Sequence, residues 1–481
     1  MDNSIKIKKY YQSKEETDKL QRLFYPHSIA VIGASNTEGK LGYNIFKNLR
    51  DRGYQGKLYA VNPSSDYIQG IKSYDNILEI PDEIDVAIII IPAHYTPQAV
   101  RECCQKGVKF IINQAAGFSE IGESGEQIER ETKEILQDYD TRLVGPNCSG
   151  LINTSHNMIQ SIGLVGNLKK GNVGLIGQAG VYAAGILWGL KKIMDFSLVV
   201  TVGNKLDLDE TDFLEFLGND KNTDVICMYL EDIKGSRRFI DIGKEITSKK
   251  PVIALKGGRT DKGSKTAASH TGSMAGNMQI YDAVFDQTGI IQARDNKNMF
   301  NIAKAFSKQP IPKGRKVMII TYTGSMGVTG TDTCYENGLE LADLSKKSER
   351  RLKTIMPDYV EVKNPADFTF YQSSEDVAKA IEICSSDNNI DAFIPIIQAE
   401  KSHEYIRDLT QLNTNDKPIL LCIPSMEFVM DSVIQFENLG IPVYSTPENA
   451  IYVLSQMYKF YQRKGIINKN GKELALKNSE E

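Results

Sequence analysis

Ser28-Ile29-Ala30-Val31-Ile32-Gly33-Ala34-Ser35-Asn36-Thr37-Glu38-Gly39-Lys40-Leu41-Gly42 decides the fold. Its first seven residues are apolar and partly β-branched, which predicts a buried strand. Glycines at 33, 39 and 42 predict a tight turn, and a helix is expected from Tyr43 to Arg52. Strand, glycine turn and helix in this order make a Rossmann-type opening, in which the helix N-terminus offers backbone N–H groups to an anion. Further strands are read at Lys57–Val61, Asp85–Ile91, Val108–Ile112 and Thr141–Val144. Helices are expected at Thr96–Lys106 and Gly125–Asp138, with a short one at Lys14–Phe24. Apolar runs alternating with helices imply a parallel sheet covered on both faces.

The ligand of this opening does not read as a dinucleotide. The glycines depart from the G-x-G-x-x-G pattern, and the second strand ends in Asn62-Pro63 where a NAD site wants a carboxylate. With Lys40 in the turn, a phosphorylated nucleotide such as CoA fits better than NAD; a Rossmann domain without a ligand is the plain alternative. Ligands of such sheets bind beyond the carboxyl ends of the strands. Loops leave those ends at Ile91-Pro92-Ala93-His94, at Asn113 to Glu120 and at Gly145 to Gly150, with His94 read as a surface residue.

Residues 151–170 show little pattern and read as a linker to a second α/β unit. Its strands are expected at Asn172–Ile176, Ser197–Val202, Asp224–Leu230 and Pro251–Leu255. Gly177-Gln178-Ala179-Gly180 is expected to open a helix through Leu190, a second candidate anion site. The third of these strands runs into Glu231 and Asp232, where a carboxylate can meet a ligand or simply face solvent. Ser307–Lys313 reads as a linker, after which a third α/β unit begins with Arg315–Tyr322 and the turn Thr323–Gly327. The last amphipathic helix is expected at Ala450–Tyr461, and residues 466–481 read as a charged, disordered tail.

Composition narrows the classes. The chain has 481 residues, 41% hydrophobic and 25% charged, with a net charge of −4. There is no basic surplus for phosphate neutralisation, which argues against a general nucleic-acid binder. The longest apolar runs are far below the ~20 residues of a bilayer span, so no membrane segment is expected. Residues 1–23 form a polar leader without a signal-peptide core. Seven cysteines, none at metal-ligand spacing, read as reduced thiols of a cytoplasmic protein, with no metal site of their own.

Residues 256–276 form a glycine-, serine- and lysine-rich stretch containing His270, one of five histidines. A solvated connection is the plain reading. A P-loop is excluded by spacing, because Ser264 intervenes between Gly263 and Lys265. Covalent catalysis fits better, since an imidazole can accept a phosphoryl group and split a hard transfer into two steps. Backbone donors near Gly180 could hold the phosphoryl oxygens, and Glu231 could fix the imidazole tautomer.

Several stretches together resemble ADP-forming (NDP-forming) acyl-CoA synthetases, in particular their α subunit or CoA-binding half, and more distantly the succinyl-CoA synthetase α subunit. They are Val31–Ser35, Gly145–Cys148, Gly203–Asp207, Tyr229–Glu231 and Ser269–Gly276. The resemblance implies a CoA-binding Rossmann-type domain over 24–152, followed by two flavodoxin-like α/β domains with parallel sheets over 170–308 and 314–465. It implies that His270 is phosphorylated with Glu231 as its supporting carboxylate. CoA would be held by Gly33, Ala34, Ser35, Lys40, Ile91, Pro92 and Ala93. The acyl and phosphate site would lie among Gly117, Asn147, Gln178, Ala179 and Gly180. It further implies a small carboxylic acid substrate and ATP or ADP with Mg2+ on a separate ATP-grasp β subunit, in an α2β2 assembly. Two departures stand out: Gly177-Gln178-Ala179-Gly180 replaces the usual Ser-Gln-Ser-Gly, and Gly324-Ser325 the usual glycine pair. A non-catalytic CoA- or acyl-CoA-binding regulatory protein and an NAD-dependent dehydrogenase are the competing readings.

Overall fold

In the computed structural model, residues 20–260, 262–263, 278–371 and 373–477 are described. They divide into two compact units at Asn296/Lys297, with residues 192–194 belonging to the second.

The first unit opens with β1 (Ser28–Ile32), α1 (Leu41–Asp51), β2 (Lys57–Val61), β3 (Tyr67–Ile68), β4 (Ile71–Tyr74) and β5 (Val86–Ile89). It continues with α2 (Thr96–Lys106), β6 (Phe110–Asn113), α3 (Glu123–Gln137) and β7 (Arg142–Val144). The strand order is β3-β4-β2-β1-β5-β6-β7, and β1, β5, β6 and β7 pair in parallel. Strand β1 is wholly buried at the centre. Helix α1 buries Ile45, Phe46 and Leu49 along one stripe, the spacing of a core-facing helix. Asn48 lies in the same stripe, and its Nδ2 donates to the carbonyls of Ser161 (3.1 Å) and Gly163 (2.8 Å).

Residues 151–170 are not the patternless linker expected. They contain a hairpin of β8 (Gly150–Asn153) and β9 (Met158–Ser161), every residue of which is buried. Its polar residues hide it from a hydrophobicity reading, yet several of their groups are bonded internally. Gln160 Oε1 accepts from the Leu151 amide at 2.7 Å. Thr201 Oγ1 accepts from the amides of Ser149 and Gly150 at 2.8 and 2.9 Å.

The hairpin joins a second seven-stranded sheet. This sheet comprises β10 (Val173–Gly177), β11 (Phe196–Thr201), β12 (Val225–Leu230), β13 (Val252–Lys256) and β14 (Ile291–Gln292), in the order β14-β13-β12-β10-β11-β8-β9. Strands β10 to β14 are parallel, whereas β8 runs antiparallel to β11. The helix expected from Gly180 to Leu190 is broken. A 3-10 turn at Gly180–Ala183 is followed by a short α4 (Gly185–Leu190), with Ala184 between them at φ −128° and ψ −83°. Helices α5 (Glu210–Asn219), α6 (Ser236–Thr247) and α7 (Met278–Thr288) cover the sheet. Helix α5 begins in a capping box made by Asp209 and Asp212. The largest core of the unit draws on both sheets, with Phe24 stacked on Phe216 at 4.5 Å within it, and a second core lies between the first sheet and α2.

The second unit holds α8 (Asn296–Lys308), β15 (Lys316–Thr321), α9 (Gly324–Glu336) and β16 (Ala392–Pro395), the last parallel to β15. Helix α9 starts at the Gly324-Ser325 turn itself. Buried Lys304 pairs with Glu437 at 2.7 Å. The last helix runs Pro447–Lys477, well beyond Tyr461, and takes in most of the segment read as a disordered tail. No helix among the described residues is long and apolar enough to cross a membrane.

Candidate active site

Gly33 shapes the first turn. Its φ is +96°, and a Cβ there would lie 2.4 Å from the Ile90 carbonyl oxygen and 3.0 Å from Ile91 Cγ2. A Cβ at Gly42 would lie 2.0 Å from the Gly33 oxygen, so α1 closes directly onto the turn. Ala34 and Ser35 are buried, and Ser35 Oγ accepts from the Thr37 amide at 3.0 Å. Asn62 Nδ2 donates to the Ala34 carbonyl at 2.8 Å, and Gln69 Nε2 to that of Ser35 at 3.1 Å. Lys40 is exposed at the N-cap of α1, whose first turn carries no acidic residue. The Tyr43 and Asn44 amides donate to the Lys40 carbonyl and no side chain caps the turn, so the amides of Leu41 and Gly42 are the ones that fit a phosphate of a phosphorylated nucleotide.

The next two loops meet this turn. Ile91 is half-buried, Pro92 exposed and Ala93 buried at the start of a 3-10 turn. His94 is exposed, with its ring against Tyr95 at 3.9 Å. A Cβ on Gly117, where φ is +109°, would touch Ala93 Cβ at 3.1 Å. Gly33, Ile91, Ala93 and Gly117 thus follow one another along one sheet edge. The amides of Gly117 (2.7 Å) and Phe118 (3.1 Å) donate to Glu120 Oε1. Burial pushes the Glu120 carboxyl up, but the Gly117 amide and Asn204 outweigh it and hold it below the usual range.

The Gly145–Cys148 and Gly203–Asp207 stretches clasp each other. Asn147 has φ +57° and its amide donates to the Ala115 carbonyl at 3.0 Å. The amides of Asn204 and Leu206 donate to the carbonyls of Pro146 and Gly145, each at 2.9 Å. A Cβ on Gly203 would lie 2.1 Å from the Pro146 oxygen. Asn204 Nδ2 reaches Glu120 Oε2 at 2.8 Å.

Gln178 is buried and acts as a hub. Its Oε1 accepts from the amides of Glu231 (2.8 Å) and Asp232 (3.2 Å), while its Nε2 donates to Asp232 Oδ1 at 2.5 Å. Ala179 is half-buried before the 3-10 turn, and Gly180 abuts Ser149, whose Oγ would be 1.9 Å from an added Cβ. With the helix broken at Ala184, the anion donors here are those of one short turn rather than of a long dipole. Glu231 is 8% exposed; its Oε1 accepts from the Tyr229 hydroxyl at 3.3 Å, and its Oε2 has no partner among the described residues. Gly257, at the root of the glycine-rich stretch, adjoins it: a Cβ there would lie 3.4 Å from Glu231 Cγ. His270 lies outside the described residues.

A relative from Pyrococcus furiosus, named acetate–CoA ligase (ADP-forming) II subunit alpha, is 41% identical over 454 residues, covering 92% of this chain and 98% of its own. The chain belongs to the ADP-forming acyl-CoA synthetase family. The chain matches a CoA-binding domain model over residues 27–154 and a succinyl-CoA ligase-like flavodoxin domain model over 170–306. It is 39% identical to acetate–CoA ligase (ADP-forming) II of Archaeoglobus fulgidus, over 92% of this chain and 67% of that one. Among solved structures, acetyl-coenzyme A synthetase 1 of Ca. Korarchaeum cryptofilum, in complex with phosphate and ADP, superposes with a TM-score of 0.87 at 32% identity. That match covers 94% of this chain and 98% of the other.

A buried ionic cluster beside Gln178 is not legible in the sequence. Lys205, 2% exposed, places its Nζ 2.5 Å from Asp232 Oδ1 and 2.9 Å from Glu210 Oε2. Burial disfavours the ammonium, but Glu210 and Asp232 keep it charged, with its pKa raised. The same ammonium holds Asp232 below its ordinary value against burial, while burial pushes Glu210 up to about 7. The sequence signal was a lysine in the turn after a strand, Gly203-Asn204-Lys205, which pattern alone assigns to the surface.

Proposed function

We propose that the chain is the α subunit of an ADP-forming acyl-CoA ligase, interconverting acyl-CoA, ADP and phosphate with carboxylic acid, CoA and ATP. What carries the reading is the Glu231 carboxylate: buried, with one oxygen unpartnered among the described residues, and set against Gly257 at the root of the stretch containing His270. A carboxylate so placed can orient an imidazole and support its change of charge. The relatives' names support the reaction.

Phosphate attacks the thioester carbonyl near Gly117 and Asn147, CoA leaves as the thiol, and an acyl phosphate forms. His270 takes the phosphoryl group and the acid departs; ADP then receives the phosphoryl group. Gln178, Ala179 and Gly180 supply polar and backbone contacts to the phosphate. Gly33, Ala34, Ser35 and Lys40 hold the nucleotide end of CoA, and Ile91, Pro92 and Ala93 line its arm. ATP or ADP with Mg2+ binds mainly to an ATP-grasp β subunit in an α2β2 assembly. The name of a relative, an alpha subunit of which this chain covers 98%, supports a partner subunit. Seven free, buried cysteines support a cytoplasmic setting.

The test is incubation of the chain and its partner subunit with phosphoryl-labelled ATP. The expected result is an acid-labile label on the wild-type chain that His270→Ala abolishes. A wild-type chain that binds CoA but never takes label overturns the reading and leaves a CoA-binding regulatory protein, a role that the missing serines at Gly177 and Ala179 would suit.

A further inference from the structure

Lys205 lies in the turn after β11 with φ +56°, and it is buried. Its ammonium pairs with Asp232 Oδ1 at 2.5 Å and with Glu210 Oε2 at 2.9 Å. A buried ion pair adds little stability over apolar side chains of the same shape, so stability alone does not account for this one. Two further contacts point to a use. The same Nζ donates to the Asp232 carbonyl at 3.1 Å and to Gln178 Oε1 at 3.3 Å.

Both contacts act on the segment that carries Glu231. Strand β12 ends at Leu230, which is paired with Lys256. Beyond Leu230 side chains take over from the ladder. Gln178 Oε1 accepts from the amides of Glu231 at 2.8 Å and Asp232 at 3.2 Å. Glu210 Oε1 accepts from the Lys234 amide at 2.7 Å, and Lys234 Nζ donates back to the Lys205 carbonyl at 2.7 Å. The backbone from 231 to 234 is therefore held by Gln178, Glu210 and Lys205, and Lys205 touches both of the others. The Glu231 side chain is held far less. Its Oε1 accepts one long bond from the Tyr229 hydroxyl at 3.3 Å, and its Oε2 has no partner among the described residues. The place of this carboxylate is set from its backbone rather than through its oxygens.

Resting on the role of Glu231 proposed above, we infer that Lys205 is a positioning residue for phosphoryl transfer: its ammonium fixes the Glu231–Asp232 backbone and so aims a carboxylate whose Oε2 is left to the reaction.

The test is a double-mutant cycle on the rate of acid-labile labelling, read by rapid quench with the partner subunit and phosphoryl-labelled ATP. Lys205→Met keeps the stem and removes the ammonium. It is expected to lower the rate roughly 10-fold or more, as a small misplacement of a reacting group does. In a Glu231→Gln chain, where the carboxylate is already gone, the same change is expected to cost less than about twofold, because Lys205 acts through Glu231. Calorimetric CoA affinity is expected to stay within about twofold throughout. A lysine that merely supports the fold would cost the same factor in both chains, and that result overturns the inference. So does an undiminished rate in Lys205→Met, or a loss of CoA affinity as large as the loss of rate. Lys205→Met leaves Asp232 buried without its cation; if it does not fold, Lys205→Met with Asp232→Asn, which removes both charges, takes its place in the cycle. A wild-type chain that takes no label, or a Glu231→Gln chain that takes it at the full rate, overturns the reading of Glu231 itself, and the role of Lys205 with it.

Discussion

Asn62 Nδ2 donates to the Ala34 carbonyl across 2.8 Å, and Asn62 Oδ1 accepts from the Ser64 amide at 2.9 Å. One end of this carboxamide thus braces the Gly33 turn from the end of β2, and the other fixes the side chain to its own backbone. A dinucleotide site would carry a carboxylate here. Asn62→Asp keeps the acceptor, loses the donor and sets a carboxylate oxygen against a carbonyl oxygen. About 1–3 kcal/mol is at stake, so CoA affinity should fall by roughly 10-fold or more. Isothermal titration of a folded variant that binds CoA as the wild type does would contradict this.

The same residue shows how far sequence carries. That Asn62 is not an acid was legible; that its amide holds the turn was not, because its partner lies 28 positions away. Strands β1, β5 and β6 were legible because strands buried on both faces read as near-continuous apolar runs. The β8–β9 hairpin was not, since Gln160, Ser161 and Asn153 are buried polar residues whose partners only tertiary structure supplies. Glu231 was legible as a carboxylate ending a strand. Lys205 and Asp232 were not read as a pair, because a buried ion pair across 27 residues leaves no periodic trace.

Glu231→Gln tests the supporting carboxylate. The substitution keeps shape and the acceptor for the Tyr229 hydroxyl, and it removes the charge from an oxygen with no partner among the described residues. Thermal stability should hardly move. The rate of acid-labile labelling should fall by roughly 10²-fold, the lower range for a positioned proton-handling group. Rapid-quench labelling with ATP and the partner subunit reads this, and an undiminished rate would remove Glu231 from the mechanism.

Gly177→Ser restores a residue the family usually has, and here it should harm. A Cβ at 177 would lie 2.7 Å from Tyr182 Cβ. Tyr182 is fixed: it is buried, stacks on Tyr229 at 4.7 Å and donates to Asn296 Oδ1 at 2.5 Å. Overpacking of this kind costs roughly 1–3 kcal/mol. The wild-type glycine is thus an accommodation to Tyr182, and pairing Gly177→Ser with Tyr182→Gly, which removes the Cβ, should give a destabilisation smaller than the sum of the two single changes. Urea unfolding of the four proteins measures the coupling, and strict additivity would refute it.

Glu210 gives the chain a pH dependence of stability with a definite sign. Burial raises its carboxyl to about 7 in the folded state, against roughly 4.3 unfolded. Between those values the folded state holds a proton that the unfolded state has released. Stability from this site is therefore fully present below the unfolded value and is lost as pH rises towards 7. Lys205 does not cancel the effect, because its single ammonium is shared with Asp232, which it keeps ionised. Asp212, raised to about 6, slopes the same way, so the comparison must be with a variant that leaves it in place. Glu210→Gln cannot ionise. Urea midpoints taken from pH 5 to pH 8 should show the wild type losing roughly 1–3 kcal/mol more than Glu210→Gln across that range. A difference between the two proteins that stays constant with pH would mean that Glu210 is ionised throughout, with the Lys205 ammonium strong enough to hold both carboxylates charged.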